Sequence, residues 1–286
     1  MGACGADHLS RIATAPIPTF PRRGKGKEGS SMLETKNLTI RFGGHVAVND
    51  VSCSFAPGTL TAIVGPNGAG KTTYFNLISG QLKASAGTVS LGGQDLSGLS
   101  ASARTRAGLG RAFQLTNLFP NLTVLENVRL AVQATREGAH RRGLNLWSIW
   151  SDHAALTERA DQILVDVALK HREQAAVASL PHGDQRKLEV ALLMALEPQV
   201  FMFDEPTAGM NTAEAPVILD LIRKLKQDRT KTILLVEHKM DVVRELADRI
   251  IVLHNGALVA DGEPAEVIAS PVVQEAYLGV AKETAA

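Results

Sequence analysis

Residues 65–72 read Gly65-Pro66-Asn67-Gly68-Ala69-Gly70-Lys71-Thr72, and this stretch decides the fold. It fits the pattern G-x-x-x-x-G-K-[ST], a loop whose glycines let successive backbone N–H groups close around phosphate oxygens. Gly58 to Val64, just before it, is β-rich. Thr72 to Ser79, just after it, is helical in pattern, with Gly80 standing where a helix stop belongs. A strand, a glycine loop and a helix in that order put the positive end of the helix dipole against the bound anion. Lys71 would reach the β- and γ-phosphates, and Thr72 would give its hydroxyl to Mg²⁺. The pattern predicts that the chain binds a nucleoside triphosphate.

Upstream, Leu33 to Phe42 reads as a strand with Leu38, Ile40 and Phe42 on one face, and Val46 to Phe55 reads as another. Thr88 to Leu91 followed by Gly92-Gly93 reads as a strand and turn. From Thr123 to Leu180 the pattern is helical: Val124, Val128, Leu130 and Val132 fall near one face, and Ala154 to Leu169 is a longer amphipathic stretch. Between them lies a loose segment, Gly138 to Asp152, carrying both tryptophans, Trp147 and Trp150. Beyond Leu180 the pattern alternates. Helix 185–196, strand 200–203, helix 213–226, strand 232–236 and helix 240–247 lead to strand 249–253 and a His254-Asn255-Gly256 hairpin turn. Such alternation predicts a mainly parallel sheet covered on both faces.

Lys plus Arg total 30 and Asp plus Glu 29 in 286 residues, a net charge of +1 that argues against wrapping nucleic acid. With 45% hydrophobic and 21% charged residues the composition is that of a globular protein with a sizeable core. No apolar run approaches the roughly 18 residues of a membrane span. Cys4 and Cys53 supply neither a disulfide framework nor a zinc cluster, which suits a reducing compartment. Residues 1–31 mix Gly, Pro and Ser with a basic run from Arg22 to Lys27. They are expected to be a disordered tail or to precede the true start, with Met32 a plausible first residue.

Two further groups complete the chemistry. Val200-Phe201-Met202-Phe203-Asp204-Glu205 is an apolar strand ending in two carboxylates. Beside the glycine loop, Asp204 would hold Mg²⁺ through its water shell and Glu205 would polarise the attacking water as a general base. His238 follows the strand 232–236, at the carboxyl end where ligands of parallel sheets gather, and could bond the γ-phosphate and that water.

The order of these groups resembles the nucleotide-binding subunits of ATP-binding cassette (ABC) transporters, over nearly all of Leu33 to Gly279. The resemblance adds Gln114, in Arg111-Ala112-Phe113-Gln114, as a contact to Mg²⁺ and a link to the permease. Leu180-Pro181-His182-Gly183-Asp184-Gln185 stands where that family has Leu-Ser-Gly-Gly-Gln, which implies that His182, Gly183 and Asp184 meet the nucleotide of a partner subunit. Pro181 departs from the usual serine and removes a hydroxyl donor and a backbone N–H, which predicts weaker dimer closure on ATP. Ala208-Gly209-Met210-Asn211 matches the loop crossing the dimer interface. Phe42 stands where the family stacks an aromatic ring on adenine, although core packing explains it equally well. Thr73 joins residues 65–72 in the nucleotide contact.

The run at 111–119, the Trp-bearing insertion, the Ala-Gly-Met-Asn loop and the ending Glu275-Ala276-Tyr277-Leu278-Gly279 resemble the ATPases of branched-chain amino acid importers. The expected fold is therefore an α/β P-loop ABC cassette: a RecA-like core, an antiparallel β subdomain and a helical subdomain over about 121–180. The cassette would span 32–280, followed by a tail at 281–286. The expected function is ATP hydrolysis powering uptake of branched-chain or related amino acids, with ATP and Mg²⁺ bound. The alternatives are a urea or amide importer, a lipopolysaccharide-type exporter or a non-transport ABC ATPase. The implied partners are permease subunits, a second ABC ATPase (identical or paralogous) in a head-to-tail dimer and, indirectly, an extracytoplasmic solute-binding protein, with no nucleic acid. The implied location is the cytoplasmic face of the inner membrane.

Overall fold

The computed structural model describes residues 32–112, 118–139, 154–210, 214–271 and 273–274. Two sheets organise them. Strands β1 (Leu33–Phe42), β2 (His45–Phe55), β4 (Ala86–Leu91) and β5 (Gln94–Asp95) form an antiparallel sheet in the order β2-β1-β4-β5. The second sheet is built from β3 (Leu60–Val64), β6 (Leu109–Arg111), β7 (Val200–Asp204), β8 (Thr232–Val236), β9 (Arg249–His254) and β10 (Ala257–Gly262). Its order is β10-β9-β3-β8-β7-β6. Neighbours from β9 to β6 run parallel, and only β10 turns back. Strands β3 and β8, apolar but for Thr61 and Thr232, are buried along their whole length, as strands covered on both faces require. The expected β9–β10 turn is present, with Asn255 (φ 47°) and Gly256 (φ 77°) both left-handed.

Helix α1 (Lys71–Ser79) is wedged between the sheets. Its Tyr74, Phe75, Leu77 and Ile78 share one cluster with Leu33 and Phe55 of the antiparallel sheet and Ile63, Val200 and Leu234 of the parallel one. Fully burying each of its two aromatic rings contributes about 3 kcal/mol. The Tyr74 hydroxyl and Thr35 Oγ1 lie 2.7 Å apart, and Cys53 N–H donates to the same Thr35 oxygen. Gly80 closes α1 in the left-handed conformation, as its position in the sequence predicts. Arg104, on α2 (Ala101–Arg106), donates to the last carbonyls of α1 at Leu77 and Ile78.

The other face of the parallel sheet carries α5 (His182–Ala195) and α6 (Ala215–Gln227). Packed on them are α3 (Val124–Ala139) and α4 (Ala154–Asp166), in a cluster running from Val124 and Ile163 through Leu188 to Phe201 and Leu235. Helices α7 (Met240–Leu246) and α8 (Pro264–Ala269) cover β3 and β9 through Val243, Val267 and Ile250.

Four local expectations are corrected. Leu130 is exposed, because six residues from Val124 amount to 240° around a helix, away from Val124, Val128 and Val132. Helix α4 stops at Asp166 rather than Leu169. Ala168 takes φ 54°, with Leu169 N–H bonded to Leu164 O and Ala168 N–H to Val165 O, a Schellman closure without glycine. Helix α5 begins three residues early, at His182, with Pro181 as its cap. Helix α6 starts at Ala215, two residues late. Residues 1–31, 140–153 and 281–286, with the tail and tryptophan readings placed on them, lie outside the described residues.

Candidate functional site

The 65–72 loop adopts a form only its glycines permit at two points. A Cβ on Gly65 would lie 2.2 Å from Leu253 O, and one on Gly70 would lie 2.5 Å from Ala47 O. The β9–β10 turn braces the loop, Gly256 N–H donating to Ala69 O and Asn49 N–H to Gly256 O. The first intrahelical bond of α1 runs from Tyr74 N–H to Gly70 O, so the amides of Lys71, Thr72 and Thr73 lie ahead of it. No side chain caps that end and no acid sits in its first turn. Pro66 is half-buried, Asn67 and Gly68 face outward, and Ala69 packs inward.

Lys71 is 6% exposed, and its Nζ donates to Gly65 O at 2.7 Å and Pro66 O at 2.9 Å. Burial pushes its pKa down, while the charges of Glu205 and Asp204 push it up. The ammonium is thus held by the loop carbonyls and feels the charges of Asp204 and Glu205. Thr72 is exposed beside it.

Asp204 ends β7 opposite Val236, and burial raises its pKa against the opposing effect of Arg111. The Arg111 guanidinium meets Asp204 Oδ2 at 2.8 Å. The next residue, Glu205, has φ 48°, a left-handed backbone that a glutamate adopts only where its surroundings enforce it. Its N–H is fixed on Val236 O at 2.9 Å. That turn sends the side chain toward β8, where Glu205 Oε1 lies 2.6 Å from His238 Nε2. Both side chains keep nearly two-fifths of their surface open. Under them Glu237, 3% exposed, accepts from Thr207 Oγ1 and from His238 N–H, each at 2.8 Å.

A hydroxyl from Thr72 and a carboxylate from Asp204 are hard oxygen donors that fit Mg²⁺. Among the described residues no group of three His, Cys, Asp or Glu could hold a metal unaided. Such a sparse donor set suits an ion held chiefly through nucleotide phosphates.

His182, Gly183 and Asp184 form the first turn of α5. Gln185 N–H bonds to Pro181 O at 3.0 Å, so their three amides lie ahead of the first intrahelical bond, with no capping side chain. The N–H missing from Pro181 is thus outside the helix, and the first-turn amides survive the substitution. Asp184 Oδ1 accepts from Lys187 Nζ at 2.8 Å in a buried pair. His182 lies against Gly209, and the Glu214 carboxylate lies against Gly183.

Phe42 is 51% exposed at the tip of the β1–β2 hairpin, which removes the core reading. Gln114 and Asn211 lie outside the described residues. Sequence reasoning missed Arg111, Thr207 and Glu237. Their only signal was a charge or hydroxyl at the end of an apolar strand.

Residues 48–208 match the family model described as ABC transporter, and residues 257–283 match that of the branched-chain amino acid ATP-binding cassette transporter. The chain belongs to the ATP-binding proteins of ABC transporters, a family that binds and hydrolyses ATP. It is 38% identical over 251 residues to the high-affinity branched-chain amino acid transport ATP-binding protein LivG of Escherichia coli, covering 87% of this chain and 98% of that one. To BraF of Pseudomonas aeruginosa, which has the same description, it is 37% identical over 252 residues, with the same coverage. A solved nucleotide-free ATP-binding cassette from an ABC transporter superposes with a TM-score of 0.73 at 29% identity, covering 87% of this chain and 99% of that chain. The ABC cassette fold implied by the resemblance is thereby established. No helix among the described residues is long and apolar enough to cross a membrane, and an ATP-binding subunit of a transporter acts with a membrane permease.

Proposed function

We propose that this subunit drives import of branched-chain or closely related amino acids from the cytoplasmic face of the membrane. The observation that carries the chemistry is the Glu205–His238 pair, 2.6 Å apart, at the sheet end that also bears Lys71. Residues 65–70 and the amides of Lys71, Thr72 and Thr73 cradle the triphosphate, Lys71 neutralises its charge, and Phe42 offers a ring to the base. Glu205 takes the proton of the attacking water through its carboxylate, and the His238 imidazole holds that carboxylate in line and bonds the γ-phosphate. Thr72 and Asp204, with Gln114, are the protein oxygens that would hold Mg²⁺; when bound, the ion offsets charge on the phosphate oxygens.

The α5 end completes the site from a second subunit. His182, Gly183 and Asp184 present backbone amides to the partner's γ-phosphate, because the Asp184 carboxylate is already spent on Lys187. The cargo reading rests on the similarity of both the cassette and the 257–283 segment to branched-chain amino acid transport proteins. The choice of cargo belongs to the permease and the extracytoplasmic solute-binding protein.

The test is purification of the tagged subunit in mild detergent, followed by ATP-driven uptake of labelled leucine in vesicles. Two permease subunits, a second ATPase and leucine uptake are expected. Uptake of urea in place of leucine, or recovery of a soluble or nucleic-acid partner with intact ATPase activity, would overturn the reading.

A further inference from the structure

Arg111 ends β6 with a guanidinium whose side chain is 8% exposed and whose donors converge on two elements. One arm meets Asp204 Oδ2 at 2.8 Å. The other meets Asn76 Oδ1 at 2.5 Å, Ser79 Oγ at 3.1 Å and Gln81 Oε1 at 3.1 Å, on α1 and the residues just after it. The guanidinium also stacks 4.9 Å above the Phe75 ring. Asp204 is comparably buried, its side chain 7% exposed.

A buried ion pair of this kind gains little net stability, because desolvating two charges offsets most of their attraction. What it supplies is geometry. With Oδ2 held by a buried, planar donor, rotating the Asp204 carboxylate breaks that bond, and Oδ1 is the oxygen the arginine leaves to other partners. The same guanidinium fastens that carboxylate to α1, the helix whose first turn lies beside the phosphate loop.

We propose that Arg111 is a positioning residue for the Mg²⁺ site: it locks Asp204 so that one oxygen faces the ion's water shell at a fixed distance from the phosphate loop. The inference rests on the reading of Asp204 as the carboxylate of that site. Residues that orient a metal-binding carboxylate typically govern about ten- to hundredfold in metal affinity. A merely structural arginine would lower the melting temperature and leave the dependence on metal untouched.

The experiment compares equilibrium binding of ATP to the full chain with Mg²⁺ and with EDTA. The tightening produced by Mg²⁺ is the readout. Arg111→Met is expected to reduce that tightening about tenfold, with binding of metal-free ATP within about twofold of wild type. Arg111→Lys keeps the charge with one donor group in place of the fork, and is expected to lose about threefold. Should Arg111→Met fail to fold, Arg111→Lys alone decides. Asp204→Asn is run beside them. If it abolishes the tightening while the arginine variants keep the wild-type value, the role of Arg111 is overturned and the site reading stands. If Asp204→Asn leaves the tightening intact, the site reading itself falls, and the role of Arg111 with it.

Discussion

Helices α1 and α5 start alike and are equipped differently. Each leaves three amides ahead of its first intrahelical bond and neither has a capping side chain. By contrast α2 is capped by Ser100, and α3 by a reciprocal box in which Thr123 N–H meets Glu126 Oε2 and Glu126 N–H meets Thr123 Oγ1. The α1 end has a glycine loop and the buried Lys71 ammonium within reach. The α5 end has Pro181 before it and an acid, Asp184, cancelled by Lys187. A bare helix end is worth about 1 kcal/mol to an anion, far too little to capture a nucleotide from solution. The α1 end can therefore bind a triphosphate within one chain, whereas the α5 end can only add to a phosphate that something else already holds.

Six substitutions break or sharpen that contrast. Glu205→Gln should lower ATP turnover about a thousandfold while ATP still binds, since it removes the proton acceptor but not the cradle. A single-turnover assay beside a binding titration checks it, and turnover near wild type would refute the general-base role. The same variant holds ATP long enough to measure what the α5 end contributes. Lys71→Ala should weaken ATP binding by one chain about a hundredfold, since it strips a buried cation from its phosphates. Lys187→Ala, made as its counterpart on α5, should leave that single-chain affinity unchanged.

Pro181→Ser should strengthen ATP-dependent dimerisation of the Glu205→Gln protein about tenfold, through one restored hydroxyl donor to a charged group. Equal dimer dissociation constants in sedimentation would show that the hydroxyl is irrelevant here. The smallest effect is that of Gly183→Ala, set against a second glycine. Gly183→Ala meets the end of the Glu214 side chain first rather than backbone, so its melting temperature should stay within about 3 °C of wild type. Gly70→Ala, at φ 96° and against a backbone carbonyl, should cost about 3 kcal/mol. If calorimetry finds the two equal, the two helix ends are less different than their geometry states.

Much of this was legible in advance because the decisive residues act where they stand in sequence. The loop 65–72, the apolar strand before Asp204 and the Asn255-Gly256 turn each encode local geometry, and each is observed. Helix ends were less legible. Ala168 closes α4 in a left-handed conformation that sequence rules reserve for glycine, and Pro181 caps a helix that begins at once rather than after the glycine. The partners of Arg111 could not be read at all. Asp204 is 93 positions away, and an arginine beside apolar strand residues looks like any surface cation until the fold brings them together. The same holds for Thr207 and Glu237, joined across 30 positions.

The Tyr74–Thr35 bond, with Arg104 fastened to the far end of α1, has a mechanical consequence. Buried polar groups pin α1 to the antiparallel sheet and to α2, and its apolar face packs on the parallel sheet. A phosphate arriving at the first turn of α1 therefore meets a helix already held in place, and little ordering entropy opposes its capture.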